Sequence, residues 1–268
     1  MDNRCIGVFD SGLGGLTCVR ELSKVLPGED VVYFGDTGRV PYGSRSEETI
    51  KKYVRSDIEF LMTHPVKLIV AACGTASAIA VPELAVEYDV PVIGVVESAV
   101  SAAVSATKNG KIGVIGTSGT VRNGKYRDLL HKADKGFEVF AKACPLFVPL
   151  VENGYADHEV AYIICREYLE DIKKGGVDTL ILGCTHYPIM KSVISSVMGD
   201  SVTLIDPGAE VARYVGEFLK SNELMSDNKC GSNKYFVSDS TEDFGKIAGL
   251  FLGKDISDIV KQIDIEKY

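Results

Sequence analysis

Two cysteines stand in matching places in this chain. Val66-Lys67-Leu68-Ile69-Val70-Ala71-Ala72-Cys73 and Val177-Asp178-Thr179-Leu180-Ile181-Leu182-Gly183-Cys184 are apolar, strand-like runs that end on a thiol ahead of helical sequence. In open α/β sheets ligands collect outside the carboxyl ends of strands, which is where both thiols fall. A helix N-terminus beyond each strand favours an anion and predicts thiols lowered toward usable thiolate. Two thiols reaching one cleft from opposite sides suit proton removal from one face of a stereocentre and proton delivery to the other. Thiolate is then the base and thiol the acid, with the roles exchanged in reverse. No redox step is needed, but a weakly acidic C–H requires donors that stabilise the developing carbanion. In Cys184-Thr185-His186 the histidine reads as a proton partner of the thiol. Cys5, Cys18, Cys144, Cys165 and Cys230 read as small buried hydrophobes.

Other motifs gather around that pair. Phe9-Asp10-Ser11-Gly12-Leu13-Gly14-Gly15-Leu16-Thr17 is a glycine-rich strand-to-helix turn that offers backbone N–H groups and one carboxylate. A dinucleotide reading, with Asp36 at the next strand end, fits poorly, because the glycine spacing departs from G-x-G-x-x-G and Asp10 would repel a pyrophosphate. Arg39-Val40-Pro41-Tyr42-Gly43-Ser44 is a turn whose polar atoms suit a carboxylate, although turn chemistry alone also accounts for it. No second Cys/His pair has zinc spacing, so no metal is expected. His64, His131 and His158 read as surface or packing residues.

Short apolar runs alternate with amphipathic helical stretches, the pattern of an α/β protein with mainly parallel strands. The expected strands are Cys5–Phe9, Asp30–Phe34, Leu68–Ala72, Pro91–Val95, Lys111–Ile115, Leu180–Leu182 and Ser201–Ile205. The expected helices are Thr17–Val25, Glu47–Thr63, Ala76–Tyr88, Val121–Lys132, Ala156–Lys174, Ile189–Met198 and Ala209–Ser221. A polar loop over Asn222–Asn233 leads to strand Lys234–Ser238 and helix Thr241–Leu252, read as an addition packed on one domain. Ile6-Gly7-Val8-Phe9-Asp10-Ser11-Gly12 recurs as Ile112-Gly113-Val114-Ile115-Gly116-Thr117-Ser118 at an offset of 106 residues, and the two cysteine runs recur at 111. Val92–Glu97 against Val202–Asp206 is a weaker third pair. Three similar elements in one order predict a duplicated α/β unit and two similar domains.

Composition sets bounds. The chain has 268 residues, 46% hydrophobic and 25% charged, enough to bury a full core in one large or two modest domains. A net charge of −8 argues against nucleic acid as a partner, since phosphate binding needs a basic face. No apolar run approaches the ~20 residues that cross a bilayer, and the first residues do not read as a signal peptide. Seven scattered cysteines suit reduced thiols in the cytoplasm rather than a disulfide framework.

The motifs together resemble those of bacterial glutamate racemase, within the wider aspartate/glutamate racemase group, almost from end to end. The likeness rests on IGVFDSGLGGLT at 6–17, YFGDTGRVPYG at 33–43, VAACGTASA at 70–78 and PVIGVVE at 91–97. It continues through IGVIGTSGT at 112–120, CPLFVPLVENG at 144–154, DTLILGCTHYP at 178–188 and LIDPGAE at 204–210. It implies two α/β domains related by a pseudo-two-fold axis, one of residues 1–96 plus 207–268 and one of 97–206, with the active site in the cleft. The implied activity is cofactor-independent racemisation of glutamate, which supplies D-glutamate for peptidoglycan, by a cytoplasmic homodimer. Cys73 and Cys184 fall on the two catalytic cysteines of the family. Asp10 and His186 match residues that assist proton transfer at each, and Glu152 matches a further acidic helper. Asp10, Ser11, Tyr42, Gly43, Gly74, Thr75, Thr117, Thr185 and His186 fall on substrate-contacting positions. Two departures stand out: Gly74 where the family usually has Asn, and Ser98-Ala99 in place of Pro-Gly. Gly74 leaves open a racemase of aspartate or another acidic substrate, or a ligand-binding relative with reduced turnover.

Overall fold

The computed structural model describes residues 1–242 and 244–268, with Lys246 described through its backbone alone. Its strands are β1 (Cys5–Asp10), β2 (Val31–Gly35), β3 (Val66–Ala71), β4 (Val92–Gly94), β5 (Lys111–Gly116), β6 (Glu138–Ala143), β7 (Thr179–Gly183), β8 (Thr203–Ile205), β9 (Asn233–Val237) and β10 (Val260–Gln262). They form two sheets, ordered β10-β9-β2-β1-β3-β4 and β6-β5-β7-β8. Every pairing among the described residues is parallel. The central strands β1, β2, β3 and β7 are buried along their whole length. That is why they read as continuous apolar runs rather than alternating ones.

The internal repeat is visible in the topology. The order β2-β1-β3-β4 in one sheet is repeated as β6-β5-β7-β8 in the other, so β3 and β7 are the same strand of the unit. Both candidate cysteines follow that strand. The weak third pair corresponds to β4 and β8, which are three-residue edge strands. The C-terminal addition extends the first sheet beyond β2 through β9 and β10, and its helix Phe244–Leu252 packs on helix Leu16–Val25. That helix is shorter than the expected Thr241–Leu252, and Asp243 in that range lies outside the described residues.

Several expected helices are interrupted. Ala76–Tyr88 divides into Gly74–Ile79, Val81–Leu84 and a 3-10 turn at Ala85–Glu87, because Pro82 lacks an N–H and clashes with the preceding turn. Val121–Lys132 breaks at Gly124, whose φ is 78°. Ile189–Met198 opens as a 3-10 turn over Tyr187–Met190. Strands β6 and β10 and helices Val95–Ala106 and Phe147–Glu152 are additional to the sequence reading. Cys230, expected to be buried, is exposed. Among the described residues no helix is long and apolar enough to cross a membrane.

One buried ion pair closes the face opposite the cysteines. Lys67 on β3 and Glu29 before β2 lie 2.5 Å apart with side chains 0% and 1% exposed. The ammonium also donates to the Asp2 and Leu224 carbonyls at 2.7 Å. Removing one partner strands the other charge in a dry site. Lys67→Ala is therefore expected to cost about 3–5 kcal/mol in urea unfolding, with the double variant Lys67→Met/Glu29→Leu recovering most of it. Turnover of the folded fraction should stay within about twofold of the parent protein, because the pair lies at the far strand ends.

Candidate active site

Cys73 sits two residues beyond β3 and caps helix Gly74–Ile79, its sulfur accepting from the Ala76 N–H at 3.5 Å. The thiol donates to the Ser11 hydroxyl at 3.4 Å. Burial pushes this thiol up to about 12, and the neighbouring Asp10 carboxylate adds to the shift. The sequence expectation of a lowered thiol is overturned here. Six residues of helix do not outweigh the loss of water around a sulfur that is 5% exposed.

Cys184 has a different setting. It follows β7 directly, but a 3-10 turn at Tyr187–Met190 intervenes before helix Lys191–Met198, so no α-helix starts on it. His186 Nδ1 lies 3.9 Å from its sulfur, and Nε2 meets Glu152 Oε1 at 2.8 Å. Burial works against a charged imidazole, but Cys184 and Glu152 together outweigh it and raise His186 to about 10. The ring is fixed by its surroundings. Tyr187 donates to the Cys144 carbonyl at 2.9 Å, and Phe251 from the C-terminal helix stands edge-on to the imidazole at 5.3 Å.

These groups share one cavity of about 380 Å³ between the two sheets, within the range of small-molecule sites. Cys73, Gly74, Thr75, Ser11, Tyr42 and Gly43 line it from one side, and Thr117, Glu152, Cys184, Thr185 and His186 from the other. Asp10 is the one expected residue that does not line it. Its fully buried carboxylate accepts from the Gly12 N–H at 3.1 Å and from the Thr185 hydroxyl at 3.4 Å. Burial raises its pKa, with His186 and those donors pulling the other way. Arg39 is also withdrawn from the cavity, bound instead to Asp36 and Asp57. The sequence reading missed Thr120. Its hydroxyl lies 3.2 Å from that of Thr75 and 3.1 Å from that of Thr117, and the Thr75–Thr117 distance is 2.9 Å. The TSGT run at 117–120 carried that signal, since a hydroxyl three residues beyond Thr117 sits one turn along the same helix face.

A family profile described as Asp/Glu/hydantoin racemase matches residues 8–215. The chain belongs to this racemase family. A glutamate racemase of Geobacter metallireducens is 45% identical over 264 residues, which span 98% of this chain and 97% of that protein. Glutamate racemase isoform RacE1 from Bacillus anthracis matches with a TM-score of 0.95 at 39% identity, over 98% of both chains. Glutamate racemase from Francisella tularensis, solved in complex with D-glutamate, matches over the whole of both chains at 36% identity and a TM-score of 0.93. The resemblance read from the motifs is thereby borne out, as is the two-sheet α/β fold.

Within this racemase fold Gly74 has a structural reason. A Cβ at this position would lie 2.4 Å from the Gly183 carbonyl oxygen. The backbone behind one cysteine thus lies against the backbone ahead of the other, and a Cβ added here requires one of the two to shift. Gly74→Ala is expected to lower kcat by about 10-fold or more through displacement of the two thiols. Its overpacking cost of about 1–3 kcal/mol exceeds the helix-propensity gain of roughly 1 kcal/mol. Steady-state kinetics and thermal unfolding of this variant check both effects.

Proposed function

We propose that the chain interconverts L- and D-glutamate by two-base proton transfer at Cα, with Cys73 and Cys184 as the acid–base pair and no cofactor. The observation that carries this reading is the meeting of two thiols with unlike proton partners in one cavity. Cys73 donates to Ser11, while Cys184 faces an imidazole held by Glu152. An imidazolium there holds the charge of a Cys184 thiolate, so Cys184 takes the Cα proton from one face. Cys73, kept as a thiol by burial, delivers a proton to the other face. The Ser11, Thr75, Thr117 and Thr185 hydroxyls lie around the same space and are suited to the developing negative charge. After one turnover the proton has moved from Cys73 to Cys184, which is the form that runs the reverse reaction. Asp10 and His186 then serve to restore the starting distribution.

The same reading makes the product a precursor for peptidoglycan and the protein a cytoplasmic homodimer. It divides the chain into residues 1–96 plus 207–268 and residues 97–206. Buried, unpaired cysteines fit a reducing compartment.

The test uses Cys73→Ser and Cys184→Ser with L- or D-glutamate in D2O. Enantiomers have equal free energy, so kcat/KM must fall equally in both directions, here by about 10²-fold or more. The asymmetry should appear instead in the isotope effect for Cα-deuterated substrate. In each variant it should grow in the direction where the altered residue removes the proton and shrink in the other. Solvent deuterium should enter product at Cα. Full activity in either variant would sink the two-base assignment, and turnover of aspartate but not glutamate would move the substrate. Glu152→Gln should lower the His186 pKa and cost roughly 10–100-fold in kcat/KM, measured across a pH series.

A further inference from the structure

Beneath the loop that walls the cavity lies a cluster the mechanism does not use. The Tyr42 hydroxyl points away from the substrate space, 2.5 Å from Asp36 Oδ2 and 2.9 Å from Asp57 Oδ2. Arg39 donates through Nε to the same Asp36 oxygen at 2.7 Å and through a terminal nitrogen to Asp57 Oδ1 at 2.9 Å. Both carboxyl side chains are 0% exposed, and Arg39 is 10% exposed. Ser238 donates to the remaining Asp36 oxygen at 2.8 Å.

Counting protons makes the cluster informative. Tyr42 has one hydroxyl hydrogen and two carboxyl oxygens within reach, and the shorter contact commits it to Asp36. The 2.9 Å contact with Asp57 then lacks a proton unless Asp57 supplies it. Charge points the same way, since a single guanidinium faces two carboxyl groups removed from water. Resting on the racemase reading above, we propose that Asp57 is a neutral carboxylic acid that donates to the Tyr42 oxygen. Through the chain Asp57–Tyr42–Asp36, it is the positioning residue for the Tyr42–Gly43 wall of the active site.

The wall matters because it reaches across the cleft. Gly43 lies so close to the other half that a Cβ there would be 2.7 Å from Thr117 Cβ, and a Cβ on Gly119 would lie 2.7 Å from the Gly43 carbonyl. A shift in Tyr42 therefore moves the seat of Thr117, one of the cavity hydroxyls. The ionisable groups that act on Asp57 are Asp36, Arg39 and Tyr42 from the segment after β2, and Asp10 from β1. Glu266 from the C-terminal turn lies 3.9 Å from Arg39, and the Arg39 guanidinium stacks over Tyr53 at 4.4 Å.

Asp57→Asn, the neutral isostere, should keep kcat and KM within about threefold of wild type, because its amide donates to the same oxygen. Asp57→Ala and Tyr42→Phe each leave a buried carboxyl or hydroxyl unmatched and should raise KM about 10-fold or more with a smaller change in kcat. Burial and the nearby Asp36 hold the Asp57 carboxyl well above the usual carboxylate range. The neutral form therefore persists above the pH at which an ordinary carboxyl ionises and is lost only as pH passes the raised Asp57 pKa. Wild-type KM should climb as that carboxyl ionises, and the Asp57→Asn profile should lack that climb. Infrared spectra should show a protonated-carboxyl carbonyl band in wild type that disappears in Asp57→Asn, a readout independent of turnover. If wild type fails on glutamate while the band is present, the substrate reading falls and the assignment of Asp57 stands. Loss of activity in Asp57→Asn equal to that in Asp57→Ala, or no such band, overturns the proposal. Unchanged KM in Tyr42→Phe overturns the positioning role.

Discussion

In the proposed two-base reaction, water is excluded from two chemically identical thiols that hold opposite protonation states at the start of each turnover. Burial alone would leave both neutral, because desolvation opposes a thiolate wherever it acts. That proposal needs a charged partner beside one sulfur and none beside the other. The geometry offers His186 for that place, 3.9 Å from Cys184 and held by Glu152 at 2.8 Å. Cys73 has only a hydroxyl and a backbone N–H as partners, which stabilise a sulfur without supplying charge.

The duplicated unit shows how this asymmetry arises from a symmetric backbone. Aligning β1 with β5 and β3 with β7 sets Ser11 against Thr117, Gly14 against Thr120, Thr75 against His186, and Asp10 against Gly116. On one side of the cleft Thr75 meets Thr117 and Thr120 in a ring of hydroxyls. On the other, His186 occupies the matching place, packed so closely over Gly14 that a Cβ there would lie 2.5 Å from its Nδ1. The same alignment pairs Thr185 with Gly74. Thr185 reaches Asp10 with its hydroxyl, whereas Gly74 and Gly116 have no side chains to exchange, and the Gly183 carbonyl comes close instead. The bare side of the repeat therefore belongs to the neutral thiol and the charged side to the thiol with an imidazole.

Much of this was legible in the chain, and what was not has physical causes. Fully buried parallel strands leave long apolar runs, so β1, β3, β5 and β7 and the thiols that follow them are plain in the sequence. Strand β6, Glu138–Ala143, is an edge strand and only half buried, so its charged residues hide it. Helix Val95–Ala106 is rich in alanine and serine and follows an apolar strand without a break, which blurs the boundary between them. The pKa of Cys73 was read in the wrong direction because sequence shows the nearby helix start but not the desolvation that outweighs it. The Asp36–Tyr42–Asp57–Arg39 cluster was invisible for another reason. Asp57 looks like one polar residue in an amphipathic helix, and only the fold brings it to Tyr42.

The contacts that join the two halves next to the thiols are short and polar. Thr75 bonds to Thr117 across the cleft, Thr17 donates to the Thr185 carbonyl at 3.0 Å, and Gly74 abuts Gly183. None of these is a large apolar surface; the bulk of the joint lies deeper, where one apolar cluster runs from Ile6, Val8 and Leu16 to Ile115, Phe147 and Leu182. Cys73 is kept dry by a joint tied by hydrogen bonds at the cavity and by apolar burial behind it. The packing that brings the two sheets together therefore supplies the desolvation that holds Cys73 as a thiol.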